Sequence, residues 1–299
     1  MARTRHARWE RKEKKPAVIL RIARHYGWNP SRGVSWALEW VEVLVVAAAL
    51  ALLVINFVTV RMHVPTDSMY PTINGDPNSF KADSFFVDRI SYSFRDPRPG
   101  DIVVFWHTEA VLARGITANS PAARAGLPKG AQIVSLNREP VFSLKEANAL
   151  LASLPAGTRI YLGTSSGLPL DLGVKTNGTA TLADLGVSAG ERRVRYVKRL
   201  IATGGQTVQV RDGRVYVNGS PLTGPRFDRT YVSNLAGMRY GVEPTLVPQG
   251  SWFVLGDNSK DSFDSRYWGF VESHDFIGEP YLRVWPLPRF GPMNGYFHF

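Results

Sequence analysis

Two residues far apart in this chain have the right types and settings for acyl transfer. Ser68 stands in a tight, proline-bounded run, Pro65-Thr66-Asp67-Ser68-Met69-Tyr70-Pro71-Thr72, and Lys198 in the apolar stretch Tyr196-Val197-Lys198-Arg199-Leu200-Ile201. A serine hydroxyl is a weak nucleophile until a neighbouring base takes its proton. A lysine amine serves as that base only when its pKa falls, and burial among apolar groups does this by penalising the ammonium form. Strand alternation puts Tyr196, Lys198 and Leu200 on one face, opposite Val197 and Arg199, so the amine is one polar group among apolar neighbours. Taken alone, that segment equally describes a lysine whose head snorkels to water. A third run, Gly256-Asp257-Asn258-Ser259-Lys260-Asp261-Ser262-Phe263-Asp264-Ser265-Arg266-Tyr267-Trp268-Gly269, follows an apolar strand. Its small polar residues suit a hydrogen-bonded loop in which Asp264 pairs with Arg266; a solvated turn of little energetic weight is the plainer reading.

The elements that must position these groups begin with a membrane segment. Residues 43–60, VLVVAAALALLVINFVTV, carry no charge, and eighteen helical residues reach about 27 Å, near the lower limit for crossing a bilayer core. Trp36 and Trp40 suit the interface on one side and Arg61 marks the exit on the other. The formal charge is +11, and residues 1–35 hold ten Lys/Arg against two Glu, so +8 of it precedes the apolar run. That bias keeps the N-terminus in the cytoplasm and places the remainder outside, where a basic tail standing alone would have suggested nucleic acid. Cysteine is absent, which excludes a disulfide-stapled scaffold, a thiol nucleophile and a cysteine-ligated zinc.

Beyond Asp83 the chain reads as short strands. Residues 84–87, 101–105, 252–255 and 281–285 are apolar runs between breakers, and 207–219 alternates around Asp212-Gly213, a hairpin signal. No dinucleotide fingerprint or phosphate loop occurs, and no cofactor or metal is expected. Residues 108–190 differ, being rich in Ala, Leu and Gly with a helical pattern over 143–154. They separate two strands that look like partners, 102–105 and 194–197, as an inserted domain with adjacent termini would.

Taken in order, the three runs resemble those of type I signal peptidases, membrane-bound Ser/Lys proteases that remove signal peptides from exported proteins. PTDSMYPT matches that family's serine box with Ser68 as nucleophile, and Thr66 matches the helper residue whose hydroxyl joins the Ser68 amide in an oxyanion hole. Asp83 resembles the family's Gly-Asp box, and YVKR matches the box of the general base, Lys198. In GDNSKDSFDSRYWG the resemblance makes Ser262 the residue that orients Lys198, with Asp264 and Arg266 bracing the site. The chain departs from the pattern at Ala202-Thr203-Gly204-Gly205-Gln206 and at Ser259.

The implied fold is mainly β: a signal-peptidase-like antiparallel catalytic domain over 62–107 and 191–299, after a basic cytoplasmic segment (1–37) and one transmembrane helix (38–61). The implied activity is endoproteolysis after small residues, typically Ala-x-Ala, at the outer face of the bacterial cytoplasmic membrane, with signal peptides and membrane lipids as partners. The insert over 108–190 resembles a small α+β PDZ-like domain through Gly115-Ile116-Thr117-Ala118-Asn119-Ser120-Pro121-Ala122 and Ala125-Gly126-Leu127-Pro128-Lys129-Gly130, although Ala131 and Arg138 stand where such domains carry Asp and Gly. That resemblance implies a peptide ligand beside the 143–154 helix. The alternative is a membrane-tethered peptide-binding protein whose peptidase site is degenerate.

Overall fold

The computed structural model describes residues 17–54, 58–167, 169–178 and 180–293. Residues 1–16 of the expected basic segment and 55–57 of the expected span lie outside them. The chain divides into two compact units, Met1–Thr59 and Val60–Phe299.

In the first unit, α1 (Val18–His25) is followed by α2 (Arg32–Leu53). The 22 residues of α2 reach about 33 Å, and the helix is long and apolar enough to cross a membrane. It begins upstream of the expected 38–61 window, and residues 59–61 of that window belong to strand β1 (Thr59–His63). Glu42, on α2, accepts the backbone N–H groups of Val18 and Ile19 at 3.0 and 2.8 Å, satisfying two orphan donors at the start of α1.

The second unit is built on antiparallel strands. These include β2 (Ser84–Asp88), β3 (Ile102–Ile116), β4 (Gln132–Leu136), β5 (Arg159–Thr164), β6 (Leu170–Lys175) and β7 (Val187–Thr203). Four more follow: β8 (Thr207–Arg211), β9 (Arg214–Val217), β10 (Ser251–Leu255) and β11 (Phe276–Trp285). The main sheet runs β1-β2-β11-β3-β4-β5-β6, with β7 paired to β3 and β10 paired to β7. The β8–β9 hairpin turns at Asp212 and Gly213, both at positive φ, as the sequence pair predicts.

The backbone of this arrangement is the β3–β7 ribbon. Its register runs from Ile102 opposite Arg199 to Ile116 opposite Val187, with bulges between Thr108 and Ala110 and between Ala113 and Gly115, across the expected domain boundaries at 107/108 and 190/191. At one end it borders a core of Met62, Met69, Phe85, Val104 and Val197; at the other, a separate core of Val111, Leu136, Leu151, Leu162 and Leu185 lies within the insert. Both insert helices start on capping serines. Ser120 accepts the Ala123 N–H ahead of α3 (Pro121–Arg124), and Ser143 accepts the Glu146 N–H ahead of α4 (Leu144–Ser153). The flank of α4 is occupied by the chain itself. Leu182 is buried in the same cluster as Ala147 and Leu151, and its N–H donates to Asn148 Oδ1 at 3.0 Å.

Candidate active site

Ser68 lies in a single 3-10 turn, Asp67–Met69, entered through an extended Thr66. Two contacts fix this turn locally. Met69 is fully buried in the core below, and Asp67 Oδ1 accepts the Gly75 N–H at 3.0 Å. A third comes from far away in sequence: the Asn258 N–H donates to the Ser68 carbonyl at 3.0 Å. Gly75 and Gly256 are required by close approach. A Cβ on Gly75 would sit 1.8 Å from the Thr66 carbonyl oxygen, and one on Gly256 would sit 2.1 Å from Ser262 Oγ and 2.5 Å from the Ser68 oxygen.

Lys198 sits on β7 opposite Val103, with only 4% of its surface exposed. Its Nζ lies 2.7 Å from Ser68 Oγ and donates to its neighbour's carbonyl, Val197 O, at 3.2 Å. Burial lowers the amine from 10.5 to about 8; Asp264 and Asp257 oppose the shift and Arg266 adds to it. Nζ stands 5.1 Å from the centre of the Tyr196 ring. Behind Tyr196, His107 stacks at 4.5 Å, and burial keeps its imidazole neutral, with a pKa near 3.

The structure brings most of the expected residues together, with one difference. Ser262 is buried beside Gly256, but its Oγ has no hydrogen-bond partner among the described residues, and the two contacts of the Lys198 amine go to Ser68 and Val197. The expected Ser262–Lys198 bond is not formed in this geometry. Asp264 and Arg266 make a fully buried bidentate pair at 2.8 Å. The rest of the guanidinium donates to Ser259 O and Oγ and to Val232 O, while Asp264 also accepts the Gly256 N–H. Thr66 is exposed on the cleft wall.

Two buried ionic clusters escaped the sequence reading. Asp257 receives Arg199 at 2.8 and 2.6 Å, the Thr72 hydroxyl at 2.5 Å, and an ion pair from Arg229. Asp83, with its resemblance to the Gly-Asp box, accepts the Asn74 N–H and faces Arg283 and Arg289 at 3.4 and 3.2 Å. The first joins Asp257 to partners 28 to 185 positions away, and the second joins Asp83 to arginines 200 and 206 positions away. The one signal for the first was the acidic residue following a glycine in Gly256-Asp257.

A cleft of about 280 Å³ opens over the pair, lined by Met62, Val64, Thr66, Tyr196 and Phe263, with Glu109, Arg195 and Asp261 also on its walls. Strand β1 ends the sheet order on one side. On the other, β10 covers the outer edge of β7 only from Arg199 onward, leaving 194–198 without a strand partner there. Among the described residues, no group of three or more His, Asp or Glu side chains could hold a metal ion. The arrangement suits an alcohol attacking a carbonyl in an extended peptide, with an amine to move the proton.

Comparison with known proteins points to one family. The model of the family described as signal peptidase, peptidase S26, matches residues 37–285. A signal peptidase I of Leptolyngbya laminosa is 27% identical over 257 residues, covering 86% of this chain and 84% of the relative. One from Mycobacterium tuberculosis is 29% identical over 271 residues, covering 85% and 74%. One from Bacillus caldolyticus is 35% identical over 168 residues, covering 53% and 87%.

Proposed function

The chain belongs to the signal peptidase family, peptidase S26, and from that membership we propose how its residues remove signal peptides from exported precursors. Ser68 Oγ attacks the scissile carbonyl while the neutral Lys198 amine takes its proton. The Thr66 hydroxyl and the Ser68 amide stabilise the oxyanion. As the tetrahedral adduct collapses, Lys198 returns the proton to the leaving amine, giving an acyl-enzyme on Ser68 and a free mature N-terminus. Lys198 then deprotonates a water that attacks the ester, and the proton passes back to Ser68. Asp264 and Arg266 hold the loop that carries Ser262. The single observation that carries this reading is the 2.7 Å separation of Ser68 Oγ from an amine that is almost completely buried.

The precursor enters as an extended strand between the Met62–Thr66 segment and the outer edge of β7, where main-chain hydrogen bonds supply register. A shallow apolar cleft favours small side chains at the cut. The enzyme is membrane-anchored, and the Lys/Arg bias before α2 supports a cytoplasmic N-terminus with the catalytic unit on the outer face of the cytoplasmic membrane. Exposed Phe80, Leu287 and Phe290 support lipid contact close to the site: Trp285 Nε1 ties the first loop by donating to Phe80 O, and Arg289 donates to Thr72 O. A peptide ligand of the PDZ-like insert would run beside α4, one flank of which Leu182 occupies.

The test is cleavage of an Ala-x-Ala precursor by membranes carrying the wild-type protein, Ser68→Ala or Lys198→Ala. Cleavage by wild type alone supports the assignment; equal cleavage by all three removes it.

A further inference from the structure

Besides Glu109 on the cleft wall, the insert reaches the catalytic cleft through an aromatic contact. Phe142, just ahead of α4, packs its ring 5.7 Å from that of Phe263, which lines the cleft with Ser68 and Lys198. Phe263 sits between Ser262 and Asp264, so its backbone is held by the buried Asp264–Arg266 pair. Its ring is 42% exposed and gets its orientation from neighbours: Phe142, Tyr267 at 5.2 Å and, more distantly, His107 at 6.5 Å.

Phe142 is itself secured from three directions. Glu146 Oε2 accepts its N–H at 2.9 Å, and Glu146 Oε1 holds Arg239, whose guanidinium lies 5.8 Å from the Phe142 ring. Two residues on, the Leu144 N–H donates to Glu191 Oε1 at 2.7 Å, and the other oxygen of that carboxylate accepts the Thr108 hydroxyl. Glu191 and Thr108 both belong to the β3–β7 ribbon that carries Lys198. The ring is thus anchored to the same framework as the catalytic amine.

We infer that Phe142 is a positioning residue for substrate binding: the insert sets the Phe263 ring as the apolar wall against which a precursor side chain packs. This rests on the signal-peptidase reading of the cleft. One flank of α4 is taken by Leu182, while the start of the helix grips the catalytic body through Glu146 with Arg239 and Leu144 with Glu191, so the insert braces the cleft. Phe142 touches neither the nucleophile nor the base; its effect falls on substrate affinity.

The experiment is steady-state cleavage of a soluble Ala-x-Ala peptide by the full-length protein in detergent, comparing wild type, Phe142→Ala, Phe142→Leu, Phe263→Ala and the Phe142→Ala/Phe263→Ala double variant, with Lys145→Ala as control. An aromatic pair of this kind predicts a rise in KM of about 3- to 10-fold for Phe142→Ala at unchanged kcat. Phe142→Leu should restore most of the loss. Because Phe142 acts through Phe263, the double variant should match Phe263→Ala alone. Lys145, on the same helix and in an exposed ion pair with Glu272 of the catalytic unit, should behave as wild type when replaced. An unchanged KM in Phe142→Ala, a loss confined to kcat, or multiplicative effects in the double variant would each overturn the inference. A wild-type protein that fails to cleave the peptide would instead bring down the reading beneath it.

Discussion

The Lys198 amine and the Ser68 hydroxyl meet at 2.7 Å although they lie 130 positions apart, and most of the chain between them builds the insert or the strands that carry it. The meeting is produced by register. Lys198 faces the core because Val103 is its partner on β3, and Ser68 is delivered by a turn whose Met69 is sunk in the core beneath.

Replacing either member should remove the chemistry while leaving the fold. Ser68→Ala and Lys198→Ala are each expected to lower kcat by at least about 10³-fold. Lys198→Met should also raise thermal stability at pH 7, because a buried amine that disfavours its ammonium form gives way to an apolar chain of similar length. The gain should be about 1 to 3 kcal/mol, read from thermal unfolding. A Lys198→Met protein that melts below wild type would contradict the burial argument.

The pH dependence follows from the same burial. With the amine lowered to about 8, kcat/KM should rise tenfold per pH unit below that value and level off above it, half-maximal near pH 8. Stability should move in the same direction for a different reason. The folded state gives up the Lys198 proton at about 8 and the unfolded chain at 10.5, so the unfolded state binds more protons between those values and stability rises with pH across that window. Below pH 8 both states are protonated and the cost of burying the ammonium is present in full. A kcat/KM profile flat from pH 6 to 9 would show that no amine of this kind limits the reaction.

Two glycines are predicted to matter for geometry. Gly75→Ala forces a Cβ onto the Thr66 carbonyl, and Gly256→Ala forces one between Ser262 and the Ser68 carbonyl. Displacing the oxyanion segment or the nucleophile by even about 1 Å should cost on the order of 10² in kcat, with folding retained as judged by circular dichroism. Full activity in both variants would show that the Ser68 turn tolerates such a displacement.

The buried Asp264–Arg266 pair should behave asymmetrically. Arg266→Met leaves a carboxylate unpaired in the interior and is expected to destabilise the protein by about 3–5 kcal/mol, read from denaturant unfolding. Replacing both, as Asp264→Leu with Arg266→Met, should recover part of that loss. It should not restore cleavage, because Asp264 also accepts the Gly256 N–H beside the site.

How much of this was legible depends on the range of each interaction. Period-two alternation was enough to put Lys198 on an apolar face, and Asp212-Gly213 was enough to fix a hairpin, because both are local. Pairing of Asp264 with Arg266 was readable at a spacing of two. The partners of Asp83 and Asp257 were not, since Arg283, Arg289 and Arg199 reach them only after the sheet is assembled. Arg199, which alternation places on the face opposite Lys198, is only 4% exposed. The Ser262–Lys198 bond, carried over from resemblance, depends on side-chain rotamers that no sequence pattern encodes. Phe142 had no signal at all: its importance comes from Phe263, 121 positions later.

The long hydrogen-bonded ladder between β3 and β7, bulged between Thr108 and Ala110 and between Ala113 and Gly115, ties the insert to the peptidase core through two shared strands. An appendage mounted this way is coupled to the strand bearing the proton acceptor, with the bulges as its points of bending. Any force on the outer lobe, from a neighbouring protein or a crowded membrane surface, would therefore be shared between those bulges and the strand that carries the catalytic amine.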